Sequence, residues 1–207
     1  MAAPTKAELQ ARVAKLERAL AREKKRKGVK EDLAQARAAQ AATAKILRVI
    51  RKSPSDVQPV FEAIADAAMR LLKAFSVTVV RFDGTQLQFG ATRGARRGSE
   101  ARVRALFPQP ALNSDIAGRS ILARNVVNVA DARRDKSRAM REHARARGFR
   151  SVVAVPLLHE SAPIGAIAAT RSTAGLFSAA EVELLRSFAD QAVIAVENAR
   201  RFHQTKE

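Results

Sequence analysis

The stretch SVVAVPLL, residues 151–158, constrains the fold more than any other part of the chain. It is nearly all apolar, which suits a strand buried on both faces. A turn over His159–Pro163 and a second apolar run, Ile164–Thr170, make it one arm of a hairpin. A sheet built on such a hairpin needs a covering layer on each side.

The rest of the pattern supplies those layers. Val57, Phe61, Ile64, Ala68 and Leu71 recur at helical spacing after Ser53-Pro54. Ser55 is placed to cap that helix, with Gln58 as its capping-box partner. From Phe75 the period changes. Phe75–Phe82 is apolar and β-branched, Asp83-Gly84 is a turn, and Thr85–Thr92 alternates, so a second hairpin is expected. An Arg- and Gly-rich stretch over 93–112 has room for a short helix at Glu100–Leu106. Ser114–Arg124 reads as helix, Val126–Val129 as a short strand and Asp131–Gly148 as a polar loop with a basic helix. Ser178, with Glu181, opens a final helix striped by Val182, Leu185, Ala189, Ala192, Val196 and Ala199. The class is α+β: a central, mostly antiparallel sheet, with the first and last helices on one face and the inserts on the other.

A long helix precedes this domain. Leu9, Val13, Leu16 and Leu20 fall on one four-three seam, the a/d spacing of a coiled coil. The seam fades into the basic run Arg22–Lys30. A second seam, Val29, Leu33, Ala36, Gln40, Thr43, Leu47 and Ile50, starts one residue out of step. A break near Gly28 is therefore expected, since glycine costs a helix roughly 1 kcal/mol relative to alanine. The divisions expected are a coiled-coil or signalling helix over 1–52, a domain over 53–203 and a tail over 204–207.

Composition removes several chemistries. Among 207 residues there is no cysteine, hence no disulfide, thiolate zinc site or cysteine nucleophile. The three histidines, His143, His159 and His203, have no partners at metal-ligand spacing. No apolar run is long enough to cross a bilayer, and the first residues lack a secretory core. A cytoplasmic location is expected. The net charge of +18 favours anionic partners. Yet no aromatic ring lies within Arg22–Lys30 to stack on bases, and the basic residues of 93–104 and 133–150 are dispersed. No phosphate loop, catalytic triad or kinase motif is present, so an enzyme is not expected.

The segments AKILRVIRKSPSDVQPVFEAIADAAMRLLKA, VVRFDG and LQFGATRG resemble the opening of GAF domains in bacterial sensor histidine kinases. The resemblance resumes at SDIAGRSILARNVVNVADARRD and is most specific in GFRSVVAVPLLHESAPIGAIAATRS and FSAAEVELLRSFADQAVIAVENARRF. It covers roughly residues 41–203 and is weakest over 93–113. It implies a GAF-like antiparallel sheet of about six strands, a small-molecule pocket between sheet and inserts, dimerisation through flanking helices, and relay to a kinase or other output partner. No particular ligand carries over, and the cofactor is unknown. A covalent bilin needs a cysteine, and the cyclic-nucleotide constellation is missing. Only His143 lies in an insert where a haem ligand would sit.

On this basis the pocket candidates are Phe82, Phe89, Ile116, Arg119, Ile121, Phe149 and Val153, with Asn113 and Ser114 as further polar partners. For any single position, ordinary core, a cap or a solvated loop is the favoured alternative. The dimer-seam candidates are Leu9, Val13, Leu16, Leu20, Leu33, Leu47 and Ile50. Two functions compete: a non-catalytic sensory homodimer, and a basic nucleic-acid-binding accessory protein.

Overall fold

The computed structural model describes residues 6–94, 98–112 and 115–204; the side chains of residues 6–11, 13, 14 and 99 lie outside that description. Helix α1, Lys6–Lys52, is continuous. The expected break at Gly28 does not occur. A Cβ there would meet nothing within 4 Å, so the glycine is a helical position with open space beside it, among lysine, arginine and glutamate, all good helix formers. The chain divides into two compact units, residues 1–41 and 42–207. The second unit thus takes in the last turns of α1 and begins earlier than the expected residue 53.

Within the second unit six strands form one antiparallel sheet in the order β3-β2-β1-β6-β5-β4. The strands are β1 Ser76–Phe82, β2 Gln86–Gly94, β3 Gln109–Pro110, β4 Val127–Val129, β5 Ser151–His159 and β6 Ala162–Arg171. Both expected hairpins are present, and β1 pairs with β6 to join them. The two-residue β3 was not expected. It contributes only two pairs at the sheet edge, and one of its residues is proline.

Alternation divides the sheet into two faces. Val77, Val79, Val153, Val155, Leu157, Ile167 and Ala169 point to one side. There they meet α2 (Gln58–Leu71), α6 (Ala179–Gln204) and Ala42, Ile46 and Ile50 from the end of α1. Phe61, Ile64, Leu185 and Phe188 are fully buried in this layer. Val80, Val152, Ala154, Ala166 and Ala168 point to the other side. That side is covered by α4 (Ile116–Ala123) and α5 (Arg138–Arg147), with α3 (Ser99–Arg104) against β2.

Two helix starts show how local chemistry sets this arrangement. Ser178 and Glu181 form the expected capping box: Glu181 N–H donates to Ser178 Oγ at 3.3 Å and Ser178 N–H to Glu181 Oε2 at 2.9 Å. The Ser55–Gln58 box does not form. Gln58 N–H, the donor such a box would serve, goes to Asp56 Oδ1 at 2.9 Å, and Pro59 brings no N–H to the first turn of α2. Gln58 Nε2 instead donates to Gly90 O at 3.0 Å. Gly90 is the extra residue of a bulge between β1 and β2, where a Cβ would come within 2.7 Å of Val79 O.

Candidate functional site

A cavity of about 50 Å³ lies between the second face of the sheet and its covering helices. One ordered water needs roughly 10–15 Å³ measured in the same way, so the space suits a small molecule. Its floor is Ser76, Thr78 and Val80 of β1, Val152 of β5, and Ala168 and Thr170 of β6, closed at one side by Leu87 and Gln109. Val103, Leu106 and Phe107 form one wall. Ile116 and Ala117 form a second, and Met140, His143, Arg147 and Phe149 complete the enclosure. Most of this surface is apolar with a few polar groups, the usual make-up of a small-ligand site.

The polar floor follows from strand alternation. In SVTVVRF, Ser76, Thr78 and Val80 share one face while Val77 and Val79 take the other. Ser76 Oγ and Thr170 Oγ1 hydrogen-bond at 2.6 Å, and Thr78 Oγ1 bonds Thr92 Oγ1 at 3.0 Å. Thr92 Oγ1 also donates to Val77 O at 2.9 Å. The hydroxyls therefore satisfy one another inside a sheet whose other positions are apolar.

Helix α5 carries the charged wall. Ser137 caps it, its Oγ accepting from Met140 N–H at 3.3 Å, and Gly148 ends it at φ 81°. His143 and Arg147 lie one turn apart on the cavity side. Arg147 Nη1 lies 3.3 Å from His143 Nε2. A guanidinium only donates, so the ring accepts there and its proton sits on Nδ1. The imidazole packs edge-on to Phe149, with centroids 5.9 Å apart. Burial, then the Arg147 charge, push the His143 pKa down, while Asp115 pulls it the other way; the ring is neutral near pH 7. Burial likewise lowers Arg147, again opposed by Asp115, but a guanidinium stays charged.

Paired charges hold the walls in place. Arg119 grips Asp135 through two bonds of 2.8 and 2.6 Å, tying α4 to the approach to α5. That hydrogen bond outweighs the cost of burial and holds the Asp135 carboxyl below its usual range. Arg150 pairs with Asp131, and Arg171 with Glu181. Gly118 permits close packing of α4, since a Cβ there would come within 2.3 Å of Leu112 O.

Of the residues singled out from sequence, Ile116 and Phe149 line the cavity. Phe82 and Ile121 pack in the adjoining apolar cluster with Val80 and Leu87. Phe89 packs on Phe107, centroids 5.9 Å apart, beneath the Arg104 guanidinium. Arg119 is engaged by Asp135 and does not line the cavity. Val153 faces the opposite side of the sheet, because its neighbour Val152 takes the cavity side. Asn113 and Ser114 lie outside the described residues. The hydroxyl row, Met140, His143 and Arg147 were not among the pocket candidates, although alternation in β1 and the four-residue step in α5 carry the signal.

The seam residues divide likewise. In the first unit Leu16, Leu20, Val29 and Leu33 are exposed, Leu16 at 64% and Val29 at 60%. In the second unit Leu47 is exposed at 41%, whereas Ile50 is buried in the domain's own core. The side chains of Leu9 and Val13 lie outside the described residues. Among the described residues no helix is long and apolar enough to cross a membrane, and no cluster of metal-ligating side chains is found.

No curated protein matches the sequence. Solved structures share the fold. Free methionine-R-sulfoxide reductase from Neisseria meningitidis superposes with a TM-score of 0.64 at 17% identity, covering 79% of this chain and 90% of that one. Residues 122 to 287 of a methyl-accepting chemotaxis protein give 0.63 at 22% identity, covering 78% and 98%. A domain of a candidate two-component sensor histidine kinase protein from Sinorhizobium meliloti 1021 gives 0.58 at 19% identity, covering 73% and 98%. At these identities the likeness concerns the fold alone. The family described as "GAF domain" matches residues 54–197, more than half of the sequence. The chain therefore belongs to the GAF domain family.

Proposed function

We propose that this chain is a non-catalytic sensory module that holds a small molecule in the cavity and relays its presence through paired α1 helices. The observation that carries the reading is the partly polar cavity on one face of a GAF sheet. Ser76, Thr78 and Thr170 offer hydroxyls, Arg147 and His143 offer charge and a ring nitrogen, and the apolar walls exclude water around them. The exposed leucines of α1 supply the surface for a second copy, at the four-three spacing of a coiled coil. The output is a kinase or another partner of a bacterial, cytoplasmic two-component phosphorelay. No reaction is assigned, since cysteine chemistry is closed to a chain without cysteine.

Native mass spectrometry of the purified chain tests both halves together. The expected result is a dimer that retains a small ligand. Leu16→Lys with Leu47→Lys should then give monomers that still carry the ligand. A monomeric wild-type chain with an empty cavity would overturn the reading.

The net charge of +18 and the exposed run Arg22–Lys27 favour a second reading, a nucleic-acid-binding accessory protein. It requires affinity for DNA or RNA that falls steeply with salt as phosphate contacts are screened. Salt-insensitive or absent binding would leave the sensory reading alone.

A further inference from the structure

The domain carries many arginines, and the half-buried ones other than Arg147 are answered. Arg93 meets Asp66, Arg119 meets Asp135, Arg150 meets Asp131 and Arg171 meets Glu181. Arg133 and Arg141 donate to backbone carbonyls. Arg147 differs. It is half-buried on the cavity wall, and among the described residues it hydrogen-bonds the neutral ring of His143. No carboxylate of the described residues forms an ion pair with it within 4.0 Å. A guanidinium has five donors, and burying one with a single neutral acceptor is costly unless something in the cavity answers the charge.

We infer that the cavity is built for a small organic monocarboxylate, its carboxylate seated on Arg147 and its remaining atoms lying between the Thr78–Thr170 floor and the apolar wall of Met140 and Phe149. This rests on the small-molecule reading above and names the ligand's chemical class. The planar guanidinium fork matches a carboxylate with two parallel hydrogen bonds. The floor hydroxyls can turn a hydrogen toward an oxygen or accept one from a ligand hydroxyl. Asp115, also on the cavity wall, sets the charge limit. Arg147 and Asp115 together leave the wall formally neutral, so a monoanion seated on Arg147 adds one negative charge, whereas a phosphate dianion would add two with no second cation to meet them. Burial lowers the pKa of both His143 and Arg147 against the opposing pull of Asp115, which marks the Arg147 charge as partly desolvated.

The test titrates the full 207-residue chain with butyrate, its neutral isostere butyramide, and inorganic phosphate, following the Met140 methyl and the Thr78 and Thr170 methyl resonances by NMR. Butyrate should bind saturably and roughly tenfold or more tightly than butyramide, the scale of a charge-assisted hydrogen bond. Arg147→Gln should remove that preference, bringing butyrate down to the butyramide level. Arg147→Lys should keep part of it, and Arg119→Gln should keep all of it. Thr78→Val, which leaves Arg147 in place, should retain the preference, and saturable butyramide binding by Arg147→Gln shows that the arginine variant is folded. Equal binding of butyrate and butyramide, in wild type and Arg147→Gln alike, would overturn the carboxylate assignment and leave the small-molecule site standing. Tighter binding of phosphate would overturn it in favour of a dianion. No saturable response to any probe at these methyls would overturn both readings.

Discussion

The two faces of one sheet are built from the same strands yet do different work. On the face toward α2 and α6, Val77, Val79, Val153, Val155 and Ile167 meet Phe61, Ile64, Leu185 and Phe188 in a layer closed to solvent. On the face toward α4 and α5, alternate residues of those strands are Ser76, Thr78, Ala168 and Thr170, and a cavity separates them from the helices. The first face binds the sheet to its helices. The second gives up packing for hydroxyls and a half-buried guanidinium, groups that need partners. Interiors pack to near crystal density, so a persistent gap lined with paired hydroxyls signals function more strongly than any residue in the dense layer.

Truncation of the dense layer should have the largest effect. Phe61→Ala or Phe188→Ala is expected to cost about 3–5 kcal/mol in denaturant unfolding, as for fully buried aromatics elsewhere. Met140→Ala, on the cavity wall, should fall toward the low end of the ~2–5 kcal/mol seen for such truncations, because the enlarged space can fill with water. Equal costs on the two faces would erase the distinction.

The hydroxyl row offers a finer test. Thr170→Val strands the Ser76 hydroxyl and should cost about 1–3 kcal/mol. Adding Ser76→Ala replaces both partners with apolar groups and should recover most of that loss. A double variant no better than the single one would mean that the pair contributes little.

The smallest expected effect is in pH dependence. His143 has a lowered pKa in the folded chain, from burial first and the Arg147 charge second, with Asp115 opposing. Between the unfolded value near ~6.5 and the lower folded value, only the unfolded chain takes up the proton, so stability falls as pH falls. Below about pH 4, Asp135 and Glu181 act in the same direction. Their folded values are depressed, by Arg119 for Asp135 and, against the cost of burial, by Arg171 for Glu181. His143→Gln should flatten the upper part of the stability profile and Arg119→Gln the acid part, each read from urea midpoints across pH.

Much of the fold was legible because periodicity reports burial. The change from helical to strand period near Phe75, the doubly buried run at Ser151 and the Ser178–Glu181 box each had one consistent reading, and the structure has those elements. The site was less legible. Aromatic size drew attention to Phe82 and Phe89, which pack in clusters, and a one-residue error in facing placed Val153 on the cavity side. Arg147 was hidden among arginines whose partners lie far away in sequence, such as Arg171 with Leu72 O. Only the three-dimensional pairing of the others leaves it standing out. Gly28 and Ser55 mark the limits of local rules. A helix of 47 residues absorbs one glycine, and the Asp56 carboxylate took the Gln58 N–H that a Ser55 cap would have served.

The most direct test of the contrast between the faces is methyl NMR under xenon pressure, since xenon enters cavities whatever their natural occupant. Along β1 the account predicts alternation, with the Thr78 and Val80 methyls shifting and those of Val77 and Val79 unmoved. Shifts shared equally by neighbours along the strand, or confined to Val77 and Val79, would contradict it.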